Sequence, residues 1–257
     1  MLIFVFVAIA IISFFIFNKK NKPVAQWDMP LLKQLLSQHV EFYNNLSNAD
    51  KLMFEQRIQT FLSDVRIEGV GLEVDDTDRV MVASSAVIPI FGFKEWTYRN
   101  VTNVLLYPDT FDKEFQYEGN AGEDRNIMGM VGSGYMNGQM ILSRSALTKG
   151  FSKNGGKENT GIHEFVHLLD KTDGATDGVP DNFLPHEYTK PWLSMMHQEI
   201  RRIADGHSDI NPYATTNEAE FFAVAAEYFF EKPDQFKTKH PQLYDMLSKI
   251  FSQNPAQ

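Results

Sequence analysis

Apolar side chains recur at helical spacing across residues 31–46 and 48–63, with Leu52, Ile58, Phe61 and Leu62 in the second stretch and Asn48 available to cap it. Val80 to Ile90 is an apolar run behind Asp76-Thr77-Asp78; its alanines favour a buried helix that stops around Pro89. From 102 to 144 the pattern changes. Asn103–Tyr107, Ile127–Val131 and Gln139–Ser143 are short apolar runs separated by Gly, Asn, Asp and Pro, which predicts a small sheet. Helical periodicity returns at 158–170, 187–204, 217–231 and 239–252. Helices flanking a small sheet define a mostly helical α+β domain. Gln139–Ser143 reads as a packed interior strand, with an edge strand that holds extended substrate as its second reading.

The first 17 residues, MLIFVFVAIAIISFFIF, carry no charge, and as a helix they extend about 26 Å, the short end of what crosses a bilayer. Lys19, Lys20 and Lys22 follow at once, so the positive-inside bias predicts a single-pass anchor in the cytoplasmic membrane with the rest of the chain on the cytoplasmic side. A cleaved signal peptide fits less well, because no basic residue precedes the run and the small-residue cleavage position near Ala25 is poor. Residues 18–30 read as a linker, and 31–257 as one globular domain.

The net charge of −9 comes without a Lys/Arg cluster, which argues against nucleic acid as a partner. No cysteine is present, so any metal must be held by His, Asp or Glu.

That restriction gives weight to Gly161-Ile-His163-Glu164-Phe-Val-His167-Leu-Leu-Asp170. Histidines four apart on a helix project from one face and can share an ion, with Glu164 flanking it. The bland reading, a helix with two incidental histidines, requires nothing more than good helix formers. A catalytic zinc site needs a third protein ligand. Asp170 and Asp173 stand where a metzincin places glycine and its third histidine, and the loop of Asp170, Asp173, Asp177 and Asp181 lacks calcium-loop spacing, so it reads as turn-forming and solvated. The apolar helix around 217–231 is the better source. Its Glu220 and Glu227 are seven apart on one face, and spacing does not choose between them. Asp170 or Glu227 could also serve as an outer acceptor for a histidine ring. His39, His186, His197, His207 and His240 lack ligand spacing and read as surface residues.

With HEFVHLLD, DGATDGVP and NPYATTNEAEFFAVAAEYFFE in view, the chain resembles the Mlc titration factor A family of zinc peptidases, over about residues 50–250. The resemblance implies a gluzincin-type site in a zincin-like fold related to lethal-factor catalytic domains, with Zn2+ held by His163, His167 and Glu220. It makes Glu164 the catalytic base and sets Tyr213 beside the zinc, although a tyrosine just before a helix more often only packs. It further implies aminopeptidase-like action on a peptide or protein substrate, and a regulatory partner, the sugar-responsive repressor Mlc. The membrane leader departs from the soluble proteins of that family. A binding protein whose zinc is structural is the rival reading; Glu164 speaks against it, because a structural site needs no unligated carboxylate.

Overall fold

The computed structural model describes residues 27–112, 127–132, 137–152 and 156–256. The expected anchor at 1–17 lies outside them; among the described residues no helix is long and apolar enough to cross a membrane.

Helix α1 (Met29–His39) begins inside the stretch read as linker, with Pro30 in its first turn where a missing N–H costs no bond. The single helix expected over 31–46 breaks at Val40, whose backbone is extended and whose side chain enters the core. The chain restarts as α2 (Glu41–Asn44), which sets Phe42 against Phe54 and Tyr43 Oη on Glu55 of α3 (Asn48–Asp64). Ser47, rather than Asn48, caps α3. Helix α4 (Asp76–Ile90) starts a turn before its apolar run because Asp75 and Asp78 form a capping box, and Arg144 donates to both carboxylates. Pro89 falls in its last turn.

The sheet contains β1 (Arg66–Gly69), β2 (Val101–Tyr107), β3 (Gly129–Val131) and β4 (Gly138–Ser143) in the order β1-β2-β4-β3. β1 and β4 run parallel to β2, and β3 runs antiparallel to β4. β1 is an addition to the expected sheet: in Arg-Ile-Glu-Gly only Ile67 is buried, too little to signal a strand. β4 is interior, as its apolar run implied. Among the described residues β1 and β3 form the two edges, and β3 sets Met130 opposite Ile141 of β4.

A short helix, α5 (Arg144–Gly150), follows β4 directly and leads to α6 (Thr160–Asp170). α6 packs on α4, α8 (Glu218–Glu231) and β3. Its approach to α4 depends on Gly161, where a Cβ would stand 2.1 Å from Ser85 Oγ. Helix α7 (His186–Ala204) lies beyond the acidic loop; α9 (Pro233–Lys239) is an addition to the expected helices, and α10 (Pro241–Phe251) carries the last helical pattern. Phe222 and Phe229 of α8 stack on Phe251, so the C-terminal helices close the core over α8.

His240 is not a surface residue. It is 6% exposed, with Nε2 2.7 Å from Asp209 Oδ1 and Nδ1 3.3 Å from Glu199 Oε1. Asp209 also accepts from Lys157, Lys239 and the Tyr228 hydroxyl, and Arg202 pairs with Glu199. Burial alone would push His240 down, but its close contacts with Glu199 and Asp209 outweigh that and hold it above 6.5. Against their own burial, Asp209 is held below the usual carboxylate range by Lys157 and Lys239 and then His240, and Glu199 by His240 and Ser208. Because the histidine's folded pKa is raised, its stabilisation is complete below 6.5 and is lost as pH climbs through the raised value. The carboxylates act oppositely and lose theirs only in acid. The melting temperature should therefore fall as pH rises above 6.5, and a thermal-shift series should show that alkaline limb flattened in His240→Gln.

Candidate metal centre

Asn159 starts the helix that carries both histidines: its side chain accepts from Ile162 N–H and caps α6. One turn later His163 and His167 project together with their Nε2 atoms 3.1 Å apart. Helix α8 crosses α6 after its own cap, Asn217, and brings Glu220 Oε2 to 2.9 Å from His163 Nε2 and 3.5 Å from His167 Nε2. Among the described residues these three side chains form a group able to hold an ion. Bonds of about 2.0–2.1 Å at tetrahedral angles set zinc donors roughly 3.3 Å apart. The observed separations of 2.9, 3.1 and 3.5 Å fall around that value, and the nitrogen and oxygen donors suit zinc, so the residues present fit the ion.

Glu227, also on α8, takes the other edge of the same ring, with Oε1 2.7 Å from His163 Nδ1. That contact leaves Nε2 free of a proton to face the ion, the usual arrangement at histidine metal sites. Asp170 does not play the solvated part expected of it. It is fully buried, accepts from Gly178 N–H and so ties the acidic loop to the end of α6. Burial pushes its carboxyl up to about 7. The neighbouring Asp173 and Asp177 bond loop N–H groups, the turn-forming role that their sequence suggested.

Glu164 is buried beside the cluster, and burial raises its pKa above that of an ordinary glutamate, against the pull of His163 and His167. Glu220 is the reverse: the hydrogen bonds of both histidines overcome burial and hold it at about 2. Burial works to lower His163, and the charge of Glu227 with the bond to Glu220 more than offsets it. Without an ion, then, a proton on His163 holds the two glutamates together. Zinc binding would displace that proton.

Two features of the site carried weaker sequence signals. Gly129 on β3 backs Glu164 so closely that a Cβ would lie 2.6 Å from both Cγ and Oε1; a glycine inside a strand-like run is the sign of such an approach. Tyr213 lies on a 3-10 turn, Pro212–Thr215, started by Asn211, and its ring centroid is 6.1 Å from that of His163. The residue is 54% exposed, so it borders the cluster rather than filling the core. Burial, then the negative charge of Glu220 and Glu164, raises the Tyr213 hydroxyl pKa, keeping it a proton donor at neutral pH.

A mostly helical α+β domain with a small mixed sheet, carrying His, His and Glu donors beside a buried glutamate, is the architecture of a metallopeptidase. The chain belongs to the glucose-regulated metallo-peptidase M90 family, whose model matches residues 17–252. Among similar proteins is Mlc titration factor A of Escherichia fergusonii, 27% identical over 248 residues, covering 92% of this chain and 91% of that one. Mlc titration factor A of an Enterobacter strain is 28% identical over 242 residues, with 90% and 87% covered. An uncharacterized Synechocystis protein is 29% identical over 234 residues, with 88% and 85% covered. The kinship expected from HEFVHLLD and AEFFAV is thereby borne out.

Proposed function

We propose that this protein is a zinc-dependent peptidase, aminopeptidase-like in its action, whose ligands are His163, His167 and Glu220 and whose base is Glu164. The observation that carries the reading is the convergence of three donors at tetrahedral spacing, with a buried carboxyl of raised pKa alongside. Held by His163, His167 and Glu220, zinc would supply a Lewis acid that acidifies water and polarises a carbonyl. Glu164 is placed to take a proton from the water that attacks the peptide carbonyl. The same carboxyl returns the proton to the leaving amine. Tyr213 donates its hydroxyl proton as a hydrogen bond to the tetrahedral oxyanion. β3 gives the substrate a place to lie, since among the described residues it pairs only with β4 and its outer edge can accept an extended peptide.

Gly129→Ala tests the contact between that strand and the base. The added methyl forces Glu164 aside, and a displacement of that order lowers kcat by about a hundredfold while zinc content stays at wild-type level. Unchanged kcat would show that Glu164 has room to spare.

The reading as a whole is tested with residues 24–257 on a panel of amino-acyl and internally quenched peptides, with zinc determined in the same samples. Cleavage that is lost on chelation and restored by zinc supports it; stoichiometric zinc with no cleavage of any peptide rejects it. The second outcome would favour the regulatory reading suggested by the relatives' name, titration of Mlc, in which a protein partner replaces the substrate. The apolar leader would tether the domain to the cytoplasmic face of the membrane, and recovery of the full-length chain in the soluble fraction would refute that.

A further inference from the structure

Asn159 is fully buried, and each of its four polar groups is engaged by α6 or α8. Its side-chain oxygen accepts from Ile162 N–H, and its carbonyl accepts from His163 N–H at 3.0 Å. Its backbone N–H donates to Glu227 Oε2 at 2.5 Å, and its side-chain amide donates to Glu231 Oε1 at 2.8 Å. Glu227 in turn holds His163 Nδ1. The bonds close a ring: Asn159 to Glu227, Glu227 to the imidazole of His163, and the backbone of His163 back to Asn159. A histidine fixed both at its backbone and at its far ring edge has little freedom to swing its Nε2.

We infer that Asn159 is a positioning residue for the metal centre, orienting His163 through Glu227 and anchored by Glu231. The inference rests on the zinc reading proposed above. Capping alone does not account for the residue, because Ser, Thr or Asp would cap α6 as well. The amide is what differs. Asn accepts from Ile162 at Oδ1 and donates to Glu231 from Nδ2, two separate atoms on one amide; the single, shorter hydroxyl of Ser or Thr does not span both partners, and Asp would set a third carboxylate against Glu227 and Glu231. Burial raises Glu231 to about 7, which lessens the repulsion between it and Glu227 one turn away. Space for the side chain is provided by Gly150, where a Cβ would come within 2.9 Å of Asn159 Cγ.

The test compares wild type, Asn159→Ser, Glu231→Leu and Glu231→Gln. Zinc affinity is measured by competition with a chromophoric chelator, and melting temperature and the kcat and KM of the zinc-saturated enzymes are measured alongside. Asn159→Ser keeps the cap and loses the amide N–H that reaches Glu231, so its zinc Kd should rise about tenfold, with kcat lowered and KM little changed. Glu231→Leu should match it, while Glu231→Gln keeps the acceptor and should retain the wild-type Kd. If Asn159→Ser does not fold, the two Glu231 variants carry the comparison. A lowered melting temperature with wild-type Kd and kcat would make the role structural and overturn the inference. Failure of the wild type to bind one zinc would instead overturn the metal reading beneath it.

Discussion

Replacing Glu164 with Gln lowers kcat for peptide cleavage by about a thousandfold while the protein keeps its zinc. The carboxyl is buried on α6 between the metal-facing histidine and Gly129 of β3, close enough to the cluster for both histidines to act on its charge. Burial raises its pKa above that of an ordinary glutamate, against the pull of His163 and His167, and a carboxyl beside the cluster is placed to take and return a proton. Gln is isosteric and does neither, so the loss combines base and acid steps, each within the roughly 10²- to 10⁴-fold range of such catalysis. KM should move little, because the substrate's edge-strand contacts are untouched. Metal analysis beside single-turnover kinetics decides the matter: a variant with full zinc and wild-type turnover would remove Glu164 from the chemistry.

Glu220→Ala and Glu227→Ala should separate cleanly although both carboxylates touch His163. Glu220 meets Nε2, the donor edge, together with His167; without it zinc affinity falls by more than about a hundredfold, and zinc no longer raises the melting temperature. Glu227 meets Nδ1, so its loss leaves three ligands in place and weakens zinc by roughly 10- to 100-fold, the range of outer partners. Equilibrium dialysis against buffered zinc reads both. Equal losses, or the larger loss in Glu227→Ala, would reverse the assignment of the third ligand.

The helix bearing His163, Glu164 and His167 was legible because its signal is local: a four-residue spacing puts the rings on one face whatever surrounds them. The burial of α8 was legible from Phe221 to Phe230 for a similar reason, since a helix apolar on every side has only the interior to occupy. Local signals also misled. Helical periodicity runs through Val40 without a pause, and the chain breaks there because Phe42 and Tyr43 find partners on α3. His240 has a polar neighbourhood in sequence, yet Glu199 and Asp209 meet it from other elements and seal it in.

The sequence by itself thus determined the α+β class, the paired histidines with their glutamate, and a downstream helix with two carboxylates on one face. Only the tertiary structure decided that Glu220 faces Nε2 and Glu227 faces Nδ1, that β3 is an edge strand with Gly129 against Glu164, and that Asn159 ties α6 to α8. The physical reason is distance along the chain. Periodicity encodes which face a side chain occupies, whereas these contacts join residues 57, 64 and 68 positions apart, where the outcome depends on how two helices cross.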